Sequence, residues 1–294
     1  MPRSPQKKHT LKVGRVPGTG DPMEVDPRWL VKMLGLTIIG ALLCGYLTLC
    51  GLFYQGQWQF VLHPNAGSSS TPATLGLPFQ DVHFHYTETG QPQLHGWWIP
   101  ADKGARHAQD TVLYLHGGDG SLSGTLPRLK ELHDAGLNVF AFDYRGYGQK
   151  TSDQPADPHP NERRMTEDTT AAWLYVTQTR SIPETQIIPC GQGVGGSLAV
   201  QLVTDHPGIP AFILEDPVYD TVSQVRQDPR ATLIPVRLLF HERFEIAKPL
   251  ATLQTPKLIV RPNGLSVADA ASARAQSLSR FLDEYLPSPA ATQR

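Results

Sequence analysis

For its length the chain has very little cysteine, three residues in 294. That excludes a disulfide-framed mini-protein and a multi-cysteine zinc module. It also lacks a net charge, since 26 Lys and Arg stand against 27 Asp and Glu, giving −1. No global basic footprint invites nucleic acid, and that class of partner is not expected. No internal repeat is visible, and the 26 Gly and 26 Pro follow no collagen-like period; they punctuate turns. What is present is an apolar fraction of 40% with 18% charged residues. Such a chain can bury a core, which excludes wholesale disorder. The length is room for one large domain plus an appendage.

Charge is missing altogether from Met33 to Phe53, MLGLTIIGALLCGYLTLCGLF, where ten residues are Leu, Ile or Phe. At 1.5 Å per residue this run spans about 31 Å, the thickness of a bilayer's hydrocarbon core. Those ten residues favour insertion by roughly 3 to 6 kcal/mol. Trp29 and Tyr54 bracket the run as interfacial aromatics. Hydrophobicity around every face argues against a core helix of a soluble domain. Arg3, Lys7, Lys8, Lys12, Arg15, Arg28 and Lys32 precede the run, and no Lys or Arg follows until Lys103. The positive-inside rule therefore predicts a cytoplasmic N-terminus and a globular part outside the cytoplasm. A cleaved signal peptide is the competing reading, but the small-residue cleavage site is missing and the run exceeds a usual signal core. A lipid attachment at Cys50 would need a small residue where Leu49 stands. Cys44 and Cys50 read as small apolar residues of the span.

Residues 64–78, PNAGSSSTPATLGLP, read as a linker. The division expected is a basic tail 1–28, a span 29–54, a connecting stretch 55–78, a globular domain 79–287 and a tail 288–294. Within the domain, Val82, Phe84 and Tyr86 alternate with His83 and His85, as in a half-buried strand. Residues 94–100, 111–118, 138–146, 186–191, 211–216 and 257–262 read as further strands. Helices are predicted around 125–135, over 167–180 and 194–206, and at the end of the chain through FLDEYLP. Strands alternating with helices predict a mostly parallel sheet covered on both faces.

Three motifs fall at strand ends. His116-Gly117-Gly118 closes a buried strand, Asp143-Tyr144-Arg145-Gly146-Tyr147-Gly148 follows the next, and Cys190-Gly191-Gln192-Gly193-Val194-Gly195-Gly196 joins a strand to a helix. In this order they resemble the α/β-hydrolase superfamily, in particular its single-span, membrane-anchored, serine-aminopeptidase-like members, over residues 55–262. The Gln59–Pro64 stretch and the segment from Pro235 to Leu250 extend the likeness. The resemblance implies an α/β-hydrolase sheet, truncated at its C-terminal end, with an oxyanion loop at His116, Gly117 and Gly118. It also implies a nucleophile elbow over Gly191, Gly193, Val194 and Gly195.

The chemistry that the resemblance implies is missing. The nucleophile position of the G-x-S-x-G elbow is Gly193, which has no side chain to acylate. The run Arg261-Pro262-Asn263-Gly264-Leu265, where the family carries its acid, has no carboxylate. The last histidine is His241, ahead of the strand that the catalytic His should follow. Losing a triad costs on the order of 10⁶ in kcat, roughly 8 kcal/mol. Pro189, inside what should be a central strand, also departs from pattern.

A substitute nucleophile, Ser121 or Cys190 (Ser197 reads as a helix residue), would still need a base within reach, and His116 is the sole candidate at that edge. His83, His85 and His95 could share a face, but with no acidic partner apparent they read as surface imidazoles, and no metal or cofactor is expected. Asp143, Glu215 and Asp216 read as solvated loop carboxylates, and Glu162-Arg163-Arg164 as a solvated loop. The expectation is a membrane-tethered pseudohydrolase that binds a small molecule or protein at the sheet's C-terminal edge. The alternative is an esterase, thioesterase or peptidase with a non-standard nucleophile. A third reading is a product left poorly stable by its missing strand.

Overall fold

A computed structural model describes residues 26–65, 67–85, 93–148, 159–261 and 267–286. Two compact units are distinguished, one up to Leu49 and one from Cys50 onward. The described part of the first is most of helix α1 (Pro27–Gly56), which is long and apolar enough to cross a membrane. Its threonine hydroxyls bond within the helix: Thr37 donates to the Met33 carbonyl and Thr48 to that of Cys44, both at 2.9 Å.

The second unit follows in the order β1 (His63–Pro64), β2 (Gln80–His85), β3 (Gln93–Ile99), β4 (Thr111–Leu115), β5 (Asp119–Gly120), α2 (Leu126–Asp134), β6 (Asn138–Phe142) and α3 (Glu162–Leu174). Then come β7 (Ile187–Gln192), α4 (Gly195–Asp205), β8 (Phe212–Glu215), α5 (Thr221–Gln227), α6 (Val236–Leu239), α7 (Ala247–Thr252), β9 (Lys257–Val260) and α8 (Val267–Tyr285). The main sheet has the order β2-β3-β6-β4-β7-β8-β9. The β2–β3 and β3–β6 pairs are antiparallel, and every pair from β6 to β9 is parallel. Among the described residues no strand follows β9.

Alternation divides the core into two layers. Leu113, Leu115, Phe140, Phe142, Phe212 and Leu214 point to the side covered by α3 and α4. Val112, Tyr114, Val139, Ala141, Ile188, Cys190 and Ile213 point to the side covered by α2 and α8. Strands buried on both faces are why these segments read as near-continuous apolar runs.

Several local readings need correction. The stretch over 64–78 is docked rather than free: Asn65 N–H donates to the Gly120 carbonyl at 3.0 Å, and Pro72 and Leu77 are buried. Glu162-Arg163-Arg164 is the first turn of α3, capped by the Asn161 side chain, which accepts from Arg164 N–H at 2.9 Å. Strands β4 and β6 stop at Leu115 and Phe142, short of the glycine-rich turns. Pro189 pairs with Leu113 in β4, while the ladder to β8 begins only at Cys190. The proline therefore precedes the rungs that its missing N–H would interrupt on that side.

Candidate functional site

Gly193 sits between β7 and α4 with φ +54°. That left-handed conformation strains residues with a Cβ. Space is not the constraint there, because the nearest atom to a Cβ at Gly193 would be Gly117 Cα at 3.7 Å. The flanking glycines are held by a different demand. A Cβ on Gly191 would lie 2.3 Å from the Gly195 carbonyl oxygen, and one on Gly195 would lie 2.3 Å from that of Leu115. The start of α4 thus lies almost against the backbone of β4 and β7, which only glycine permits. Gly193 N–H donates to the Glu215 carbonyl at 2.9 Å, tying the tip of the turn to the end of β8.

The loop after β4 faces this turn. Its first glycine, Gly117, has room for a side chain, whereas a Cβ on Gly118 would meet the Val61 carbonyl oxygen at 2.3 Å. The Gln59–Pro64 stretch is the cause: His63 N–H donates to the Gly118 carbonyl at 2.7 Å and β1 pairs with β5. A cleft of about 180 Å³ opens between these turns, lined by Val61, Gly117, Gly118, Gln192, Gly193 and Val194, with Asp119, Asp216, Val218 and Gln224 beside them. Its rim carboxylates are Asp119, which pairs with His63 Nδ1 at 2.7 Å, and Asp216, exposed with φ +44°.

His116 lies beneath the loop. Its ring packs on Tyr144 and Tyr147, with centroids 4.4 and 4.9 Å away. Nδ1 bonds the Gly117 carbonyl at 2.8 Å, while Nε2 has no hydrogen-bond partner and lies 3.8 Å from Asp143 Oδ1. Burial pushes this imidazole down to about 4. Asp143 is half-buried, and its carboxyl is pushed up to about 6 by desolvation against an opposing bond from Leu122 N–H at 2.7 Å. Tyr144 and Tyr147 hydroxyls donate to the His116 and Gly118 carbonyls at 3.3 and 2.9 Å. Histidine, aspartate and tyrosines together hold the loop's backbone in place.

Neither substitute nucleophile is hydrogen-bonded to His116. Ser121 is 3% exposed and its Oγ shares a hydrogen bond with Ser123 Oγ at 3.0 Å. The Cys190 side chain points to the opposite sheet face, fully buried, and donates to Glu215 Oε1 at 3.4 Å. Burial, and next the Glu215 charge, pushes its thiol well above the ordinary range. Ser197 Oγ donates to the Val194 carbonyl within α4.

Glu215 was expected to be solvated and is not. It is 8% exposed and ion-paired to Arg128 of α2, which also bonds Glu131 at 2.6 Å; Glu131 in turn takes Arg274 of α8 at 2.9 Å. Desolvation is the largest single influence on Arg128 and works against its charge, but Glu215, Cys190 and Glu131 together outweigh it and hold the guanidinium up. Tyr114 hydroxyl donates to Gln192 Oε1 at 3.0 Å and completes the floor of the turn. The network joins residues 87 and 143 positions apart, which no spacing within one segment discloses.

His83 and His95 do face each other across β2 and β3, ring centroids 5.2 Å apart. An acidic neighbour unforeseen from the sequence is Asp81, which accepts from His95 Nε2 at 3.0 Å and from the Trp97 indole at 3.1 Å. Among the described residues no three His, Cys, Asp or Glu side chains gather where one metal ion could sit. Of the expected acid-loop run only Arg261 is described, its guanidinium over the Tyr219 ring; Pro262, Asn263, Gly264 and Leu265 lie outside the described residues.

With a glycine-flanked turn at the end of a central parallel strand, an HGG loop facing it and this strand order, the family follows. A model of the serine aminopeptidase S33 hydrolases matches residues 106–276. The chain belongs to that family. It is 31% identical to the uncharacterized protein YfhR of Escherichia coli O157:H7, over 47% of this chain and 48% of that one. It is 24% identical to the uncharacterized protein MT2364 of Mycobacterium tuberculosis, over 76% and 74%. The chain spans about half the length of the first curated relatives that it matches. Among solved structures, the Pyrococcus furiosus esterase Pf2001 superposes with a TM-score of 0.57 at 18% identity, over 77% of this chain and 98% of that one. At that identity the likeness is one of fold. The cleft lies among loops at the C-terminal ends of the parallel strands, where open α/β sheets place their ligands.

Proposed function

We propose that this S33-family chain is a membrane-tethered, non-catalytic domain that binds a small molecule or a protein segment in the cleft at Gly193. On this reading α1 is the anchor, the N-terminus is cytoplasmic and the sheet lies on the other side of the membrane. One observation carries the non-catalytic part: a glycine, without side chain, occupies the tip of the turn where the family's nucleophile belongs. The surroundings support it. An acyl transfer needs a nucleophile with a base in hydrogen-bond reach. His116 packs against two tyrosines that also touch each other and is bonded to Gly117; Ser121 and Cys190 are buried in other bonds. A bound ester or amide would meet oriented dipoles but no attacking group, and dipoles alone leave only a feeble rate.

Labelling with a fluorophosphonate probe tests the reading. The native chain is expected to stay unlabelled, and Gly193→Ser as well, since a restored hydroxyl keeps its ordinary weak nucleophilicity without a base. Rapid labelling of Gly193→Ser would reveal a working base, with His116 the first suspect. Labelling of the native chain that disappears in Ser121→Ala or Cys190→Ala would make it an esterase, thioesterase or peptidase with a substitute nucleophile.

A further inference from the structure

Two leucines of the second unit are left in water at a place where the fold could have buried them. Leu233 and Leu238 are 73% and 75% exposed, more than the leucines of the membrane-length helix itself. They lie on the short segment between α5 and α7, whose alternate residues Ile234, Val236 and Phe240 are buried. The segment therefore presents two faces, one packed into the sheet's α4 side and one turned outward with Leu233, Pro235 and Leu238.

Both ends of this segment are pinned to the stretch from Phe53 to Phe60, at and just after the end of the apolar run. The Arg230 guanidinium lies 4.6 Å from the Phe60 ring centroid. Phe240 packs on Phe53 at 6.5 Å, and His241 on Tyr54 at 5.2 Å, while His241 N–H donates to Gln57 Oε1. Leu233 is three residues from the first pin and Leu238 two from the second. At 3.80 Å per residue their Cα atoms stand within about 11 and 8 Å of those of Arg230 and Phe240. Charge follows the same arrangement. Arg226, in the last turn of α5, and Arg237 on the segment are exposed, and among the described residues neither closes an ion pair, although the Arg237 charge acts on Asp220. Asp228 is taken by Arg230 at 2.7 Å, and Glu245 faces Lys248 at 4.0 Å. Exposed leucines with arginines beside them, next to the end of an apolar run, match the pattern of an interfacial membrane contact.

We propose that the Leu233–Leu238 face docks onto the surface of a lipid bilayer, with Leu233 and Leu238 entering the headgroup boundary and Arg226 and Arg237 meeting anionic lipid. The proposal rests on the reading of α1 as a membrane anchor. Docking would hold the domain at two points rather than on one swivelling helix, and fix the height of its cleft above the lipid.

The test uses the full chain, with Cys44→Ala and Cys50→Ala, reconstituted in phosphatidylcholine vesicles containing phosphatidylglycerol. A single environment-sensitive dye is attached at Leu42→Cys, Leu233→Cys, Leu238→Cys or Tyr285→Cys, and quenched by lipids carrying a nitroxide on the acyl chain. Loss of most of the emission is expected at 42, 233 and 238, and little at 285 on α8. Arg226→Glu with Arg237→Glu is expected to restore emission at 233 and 238 while leaving 42 quenched. Quenching at 42 without quenching at 233 and 238 overturns the docking face and leaves the anchor standing. No quenching at 42 overturns both. Disulfide cross-linking of two chains through Leu233→Cys, with no quenching by lipid, would assign the face to a second copy and overturn the proposal.

Discussion

A single turn carries three glycines for two different physical reasons. Gly191 and Gly195 are kept by close approach of backbones, Gly193 by its left-handed φ alone. The difference is measurable. Gly195→Ala would press a Cβ against the Leu115 and His116 carbonyl oxygens, at 2.3 and 2.6 Å, both on fixed backbone. Overpacking against rigid groups costs up to about 3 kcal/mol or more. Gly193→Ala meets no close atom and should cost only the roughly 1–2 kcal/mol of a left-handed residue with a Cβ. Thermal unfolding followed by circular dichroism in detergent checks the order; equal losses would mean that α4 can shift away from β4. The asymmetry also bears on function. The turn keeps the geometry of an elbow around Gly193; on the proposed reading, what is missing is one side chain and its partners, not the turn. The flanking glycines were legible in the sequence because a G-x-G-x-G spacing at a strand end has few structural uses. Their separate causes were not, because Gly195 approaches Leu115 of β4, 80 residues earlier in the chain, while Gly191 meets the start of α4 at Gly195 and Gly196.

At the scale of elements, the sheet's edge is held to its helices by buried charge. Arg145, in the loop after β6, donates from Nε to Asp168 of α3 at 2.6 Å and from its backbone N–H at 2.9 Å; Asp168 is fully buried. Its guanidinium also bonds Glu167 at 2.6 Å and the Arg164 carbonyl at 3.1 Å. Arg145→Ala would leave a buried carboxylate unpaired and cost about 3–5 kcal/mol. Asp168→Asn, which leaves Arg145 its other partners, should cost nearer to 1–2 kcal/mol. Urea unfolding of the two variants gives the comparison, and a larger loss for Asp168→Asn would place the strain in the arginine instead. The alternation of strands and helices was readable from apolar periodicity, and so was the parallel core. The start of α3 was not, because Glu162, Arg163 and Arg164 carry no apolar period before Met165; the Asn161 cap was the available signal. Asp143 and Glu215 read as solvated because charge at a strand end usually is, and only the packing of α2 and the loop after β6 reverses that.

At the scale of the whole molecule, the anchor reading leads to one more expectation. The exit of α1 is marked by what it lacks, a basic residue anywhere from Met33 through Asp102, against seven before the run. Because flanking Lys and Arg within short stretches set the orientation of a span, the asymmetry predicts a second unit on the non-cytoplasmic side. An alkaline-phosphatase fusion after residue 100 should therefore be active, and a cytoplasm-dependent reporter at the same position silent. Moving charge should move the result. Replacing Arg28 and Lys32 with Ser while introducing Lys at Gln55 and Gln57 removes basic residues from one flank and adds them to the other, so a mixed or inverted population is expected. Gln57 accepts from His241 N–H, and the variant therefore needs a companion with Lys at Gln55 and Gln59 to separate orientation from local packing. An active cytoplasmic reporter in the unaltered chain would put the cleft at Gly193, and whatever it binds, on the opposite side of the membrane from the one proposed.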